Sequence, residues 1–282
     1  MMMRANFAAA VLLILVGKPV HAQAAADPYE IVRKSVERDW TDFSARKDYT
    51  YLEKNELRQL KKDGGVAHVE SKTNEITLLV GRRYERLIAR DGKPLSAKET
   101  AQEQAKLDRE LIKRQHEAAS VQNGERTKEQ REREENRRFI REIPDAFTFH
   151  LLGTETVSGQ AAWVLDAQPK PGFHPKQSDA KMFQKLRAKI WIEQTTFRWV
   201  KVDVEVLDTL SFAVGMFRVA PGATVHFEQI HVNGELWLPS MVLVRADARL
   251  ALLKKLRAEV EIRYSDYKKF QSESRMESVT EQ

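Results

Sequence analysis

The most constraining feature of this chain is strict two-residue alternation in its C-terminal half. Val200, Val202, Val204 and Val206 alternate with Lys201, Asp203 and Glu205. Leu256, Ala258, Val260, Ile262 and Tyr264 alternate with Arg257, Glu259, Glu261 and Arg263. Ala188, Ile190 and Ile192 alternate with Lys189, Trp191 and Glu193. A helix cannot hold this period, so each run is a strand with one apolar face and one wet face, as in antiparallel sheets. Turn signals separate the runs at Ser158-Gly159, Pro221-Gly222 and Asn233-Gly234.

The remaining strands are read as Tyr49 to Lys61, Val66 to Ser71, Ile76 to Ala89, two from Gly153 onward, Leu210 to Val219, Thr224 to Val232 and Trp237 to Asp247. Leu210 to Val219 is apolar on both faces and is expected to be covered on both. About eleven strands result, too many for a flat sheet, which must curl or split.

Helices are expected in two places. Asp27, Pro28 and Glu30 form a start signal, and Tyr29, Val32, Val36, Trp40 and Phe43 recur on one helical face. From Lys98 to Arg141, 22 of 44 residues are charged, with capping boxes at Ser96/Glu99 and Thr127/Gln130 and a break at Asn123-Gly124. This reads as a charged helical hairpin over about 96–142, either a solvated arm or a movable lid or partner-docking arm. The fold class is therefore α+β: a large curled antiparallel sheet, an incomplete barrel of about eleven strands, covered by helices and carrying a helical insertion. A closed barrel or a sandwich is the structural rival.

Met1 to Ala26 reads as an export signal, with Arg4 ahead of an apolar run from Phe7 to Val16 and small residues at Val20-His21-Ala22. Cleavage near Ala22 leaves 23–282 as a single domain with net charge +4, from +6 for the whole chain less Arg4 and Lys18. The expected location is the periplasm, with a peripheral site at the outer membrane as the alternative. So mild and interspersed a charge does not mark a nucleic-acid binder. Without Cys there is no disulfide, thiol nucleophile or Cys-ligated metal. No helical metalloprotease, nucleophile-elbow, P-loop or dinucleotide motif occurs. His226 and Glu228 share a strand face that His231 does not, so no metal site is expected. The chain is read as having no cofactor and no enzymatic activity. A hydrolase with a triad assembled in space and an outer-membrane barrel are the poorer rivals.

What is left is surplus apolar side chain, either filled core or the lining of a ligand cavity. The candidate lining is Trp163, Leu165, Ile190, Ile192, Val202, Val204, Phe217 and Phe227. The stretch from Gly153 to Leu165, with Gly159 and Trp163, resembles a hairpin of LolA/LolB-like lipoprotein-sorting proteins. So do Val225 to Val232 followed by Leu236 to Ser240, and the ending Tyr264 to Phe270. The resemblance covers about 27–95 and 145–270 and leaves the charged hairpin outside. It implies an exported protein with an incomplete barrel whose apolar cavity takes lipoprotein acyl chains. The family's cavity arginine falls in the third of the chain that holds Arg82, Arg83 and Arg86. Two functions follow as expectations. One is a carrier of lipidated or similar hydrophobic cargo. The other is an envelope-stress sensor that reports to a membrane-protein partner through 96–142.

Overall fold

In the computed structural model, residues 26–46, 49–120, 131, 134–212, 217–250 and 254–269 are described. The alternating runs pair into one antiparallel sheet, with Val202 opposite Ile190 on one side and Phe227 on the other. Its strands are β1 (Tyr49–Leu60), β2 (Val66–Leu79), β3 (Arg82–Arg90), β4 (Lys93–Pro94), β5 (Phe147–Val157), β6 (Gln160–Pro169) and β7 (Leu186–Glu193). After these come β8 (Trp199–Val206), β9 (Leu210–Phe212), β10 (Phe217–Val219), β11 (Thr224–Val232), β12 (Leu236–Leu250) and β13 (Lys254–Lys269). The order is β4-β3-β2-β1-β13-β12-β11-β8-β7-β6-β5, and the two edges do not join. The fold is thus the open antiparallel sheet with covering helices that the family resemblance implied.

Three of the hairpins turn on two residues, and each has both central residues at positive φ: Val80-Gly81, Asp91-Gly92 and Ser158-Gly159. This backbone matches the twist of the flanking strands. Ser158-Gly159 carries the usual signal for it, Gly at the second position. Val80 does not, because a β-branched residue at φ 51° is unfavourable. The chain therefore reverses at Val80-Gly81, where the sequence reads as one strand running from Ile76 to Ala89.

A second departure concerns Leu210 to Val219. Instead of one strand covered on both faces, it is a small hairpin: Phe217 of β10 lies opposite Phe212 of β9, and β10 also pairs with the end of β12. Both phenylalanines are exposed.

Helix α1 (Pro28–Arg46) begins where expected, with Asp27 Oδ1 accepting the Tyr29 N–H at 3.0 Å. Ile31, Val32 and Val36 are buried against the sheet, while the side chains of Trp40 and Phe43 lie outside the described residues. Helix α2 (Ala97–Ser120) starts with the Ser96/Glu99 capping box: Glu99 accepts the Ser96 N–H at 3.0 Å, and Ser96 Oγ accepts the Glu99 N–H at 3.3 Å. A further helical stretch covers 134–141; the second capping box and Asn123-Gly124 fall outside the described residues. The segment expected to be an export signal also falls outside them up to residue 25. No helix among the described residues is long and apolar enough to cross a membrane.

Candidate functional site

Cross-strand pairing assigns every inward side chain to one face of the sheet. On β5 to β8 that face is sealed. Phe147, Phe149, Leu165, Ile190, Ile192 and Val202 are buried in one cluster with Ile31, Val32 and Val36 of α1. Two polar groups fasten the helix. Trp199 donates its indole N–H to Ser35 Oγ at 2.5 Å, and Ser35 donates to the Val32 carbonyl at 2.8 Å.

The same face continues across β11, β12, β13 and β1. Val204, Val225, Val244, Val260 and Leu57 form one row of directly opposed residues. Val202, Phe227, Val242, Ile262 and Asn55 form the next. Apart from Val202, every apolar member of the two rows is only half-buried. Four inter-strand steps of roughly 4.8 Å make this an apolar trough about 19 Å wide.

The trough ends in a polar and aromatic cluster on the same face. Tyr51 lies 5.9 Å from Tyr264 and 5.2 Å from Tyr267, ring to ring. Arg83 donates to Glu53 at 3.0 Å and sits 5.8 Å from the Tyr51 ring. Burial, followed by the Glu53 charge, pushes the Tyr264 phenol up to about 12, so it stays a neutral donor. Alternation along β3 puts Arg83 on this face and Arg82 and Arg86 on the other, where Arg86 is bound to Glu75 at 2.6 Å. Strand parity thus separates the three arginines by face.

The eight residues expected to line a cavity separate into three groups. Leu165, Ile190, Ile192 and Val202 are sealed beneath α1. Trp163, Val204 and Phe227 pack half-buried against that cluster, Trp163 with its ring 5.2 Å from Phe197. Phe217 stands apart on β10. Val225, Val242, Val244, Val260 and Ile262 were outside that set, although their alternation already placed several of them inward.

The outer face is a charge lattice. Arg187–Glu205, Arg58–Glu259 and Arg257–Asp247 pairs lie at 2.6 to 2.7 Å. His226 sits between Asp203, which contacts Nδ1, and Glu228, 3.0 Å from Nε2. His231 was expected on the other face, but the bulge between Glu228 and Gln229 brings it to this side of the sheet, where it stacks on Trp237. No group of three ligating side chains able to hold a metal occurs among the described residues.

No protein-family model matches the chain, and no curated protein matches it. Among solved structures it is similar to a DUF1329 family protein from Desulfovibrio piger, at 14% identity and TM-score 0.31, over 87% of this chain and 98% of that one. It is similar to a LolA superfamily protein from Nitrosomonas europaea at 13% identity and TM-score 0.29, over 86% and 94%. A third likeness is to the MucA/MucB complex of Pseudomonas aeruginosa, at 11% identity and TM-score 0.23, over 88% and 100%. At these scores the likenesses carry no argument about function.

Proposed function

We propose that this protein is a non-catalytic periplasmic carrier that holds acyl chains of lipidated protein, or similar hydrophobic cargo, in the trough across β8, β11, β12, β13 and β1. The observation that carries the reading is the half-buried state of the two inward rows. Filled core would bury Val244, Val260 and Ile262 as completely as it buries Leu165 and Ile192. A buried methylene contributes about 0.8 kcal/mol, so ten offer roughly 8 kcal/mol before the costs of ordering and association. The proposed lining is Val204, Val225, Phe227, Val242, Val244, Val260 and Ile262. The neutral Tyr264 phenol and the Arg83 guanidinium would receive the polar end of the cargo.

Titration with cis-parinaric acid tests the reading. Saturable binding is expected, weakened at least tenfold by Val244→Asp, whose carboxylate would have to be buried under the chain. Native mass spectrometry of protein purified without detergent should show an adduct of lipid or lipopeptide mass. A parent that does not bind, or a Val244→Asp variant that binds equally well, would sink the carrier.

The reading as a stress sensor has one observation in its favour. Ile112 is 55% exposed on α2, two residues from Arg114 and so on the helix face turned away from the sheet. An apolar residue there suits a protein partner. Removing 96–142 should abolish partner binding and leave acyl binding intact if the arm reports occupancy.

A further inference from the structure

We propose that the end of the sheet formed by β9, β10, the far end of β12 and the β1–β2 turn docks on a bilayer surface containing anionic phospholipid. Three observations meet there. First, Phe212 and Phe217 are 42% and 36% exposed, with ring centroids 6.1 Å apart. Two neighbouring exposed aromatic rings cost solvation that a buried location would recover.

Second, the groove beside them, of about 790 Å³, is lined by Lys61, Lys62, Arg218, Arg249 and Arg257. Its one carboxylate is Asp247, and Arg257 already holds that at 2.7 Å. Arg257 also donates to the Lys62 carbonyl at 2.9 Å, which ties the β1–β2 turn to β13.

Third, Arg218 and Arg249 are directly opposed in the β10–β12 register and both are exposed. Like charges facing each other across a strand pair destabilise it. Neither has an ion-pair partner among the described residues.

An exposed pair of rings beside cations of which only Arg257 holds a carboxylate is costly in water and matched to one kind of surface. Phosphate groups neutralise the cations while the rings enter the headgroup–acyl boundary. This inference concerns the tip of one sheet end, where Phe212 and Phe217 continue the inward face and Arg218 and Arg249 stand on the outer one. It does not depend on what occupies the trough.

Vesicle flotation of the purified protein tests it, with phosphatidylcholine vesicles compared against vesicles containing about one-third phosphatidylglycerol. Binding is expected only to the anionic vesicles and should weaken as salt rises from about 0.1 M to about 0.5 M. At roughly fivefold per basic residue, Arg218→Gln with Arg249→Gln should weaken binding about 25-fold. Phe212→Ser with Phe217→Ser should weaken it about tenfold, since part of each ring is already buried. These side chains are exposed, so melting temperatures should stay at the parent value. Lys93→Gln with Lys98→Gln, which removes the same charge at the β4 edge, should change binding less than twofold, as should the trough variant Val260→Asp. The proposal is overturned if the parent does not float with anionic vesicles. It is equally overturned if the β4-edge variant loses as much binding as the arginine variant, or if neither the arginine nor the phenylalanine pair matters.

Discussion

The two halves of the sheet use the same alternation and end in opposite states. On β5 to β8, α1 and the strand side chains close the inward face, and Leu165 and Ile192 lose all contact with water. On β11, β12, β13 and β1, the inward face carries valine, isoleucine and phenylalanine just as densely, yet Val244, Val260 and Ile262 stay half-buried. The difference teaches that strand pattern decides which side chains face inward. A separate element decides whether water is excluded. Stability is concentrated where the helix lies and binding capacity where it does not.

An identical substitution on each side breaks or sustains this comparison with the largest expected effect. Val32→Asp puts a carboxylate into the sealed cluster without a partner. It should cost more than about 3 kcal/mol, enough to unfold a marginal domain. Val260→Asp places the same group where water already reaches. It should cost below about 1.5 kcal/mol, a fall in Tm of no more than about 6 °C. Thermal unfolding of both variants checks this. Equal losses would mean that the trough is core and the division is false.

Much of the framework was legible in the residues. The alternation held at 202–206 and 256–264, while a bulge at Val200 turned that residue to the other face; Ser158-Gly159 turned as expected, and the Ser96/Glu99 box starts α2. The reversal at Val80-Gly81 was not legible, because a valine at positive φ is unfavourable locally and is held there by the pairing of β2 with β3. The β9–β10 hairpin was missed because an apolar run looks the same whether it is buried or folded back on itself. Trp191 shows a third limit. Its alternation places it on the wet face, yet it is buried with Trp237 and Val200, flanked by Lys189 and Lys201 with each ammonium 4.6 Å from its ring. Coverage of this kind comes from residues distant in sequence, so neither the sealed half nor the open half of the site could be read from periodicity alone.

Polar groups sharpen the same contrast at a smaller scale. Glu193, buried at the end of β7, accepts the N–H groups of Thr195 at 2.7 Å and Thr196 at 2.6 Å, and the Thr196 hydroxyl. Burial pushes its carboxyl up, and these hydrogen bonds more than offset it, so the group sits below the ordinary carboxylate range. A depressed folded value means a contribution fully present above the unfolded value, near pH 4 to 4.5, and lost as pH falls through the lower folded value. Glu193→Gln should therefore cost about 1–3 kcal/mol at pH 7. The gap in Tm from the parent should narrow steadily below about pH 4. Glu259, on the open half, is held low by Arg245 and then Arg58, but its partners are surface guanidinium groups. Glu259→Gln should cost less than about 1 kcal/mol. Equal costs, or a gap for Glu193→Gln that does not change with pH, would show that the sealed half owes nothing special to its satisfied buried carboxylate.

The smallest expected effect concerns α2, which belongs to neither half. Its half-buried residues Leu107, Glu110, Leu111 and Arg114 recur at helical spacing and turn toward β3. Alternation along the β2–β3 pair puts Tyr84 on the face opposite Ile76, and Arg114 lies 5.7 Å from the Tyr84 ring. The helix therefore packs on the outer face and leaves the trough uncovered. One guanidinium does most of the fastening. Arg114 binds Glu110 at 2.6 Å and donates to the carbonyls of Leu79, Arg82 and Arg83 at 3.1 to 3.3 Å. Those carbonyls flank the strained Val80-Gly81 turn, so the contact that holds the arm also holds the turn. Arg114→Gln should lower global stability by less than about 1 kcal/mol, because few buried apolar groups depend on it. It should nonetheless raise amide exchange through α2 and at 79–84 while leaving β6 to β8 at parental protection. Unchanged exchange in α2 would mean that the thin apolar stripe of Leu107 and Leu111 fixes the arm by itself. The arm would then be a rigid part of the sheet rather than an element able to move when cargo or a partner binds.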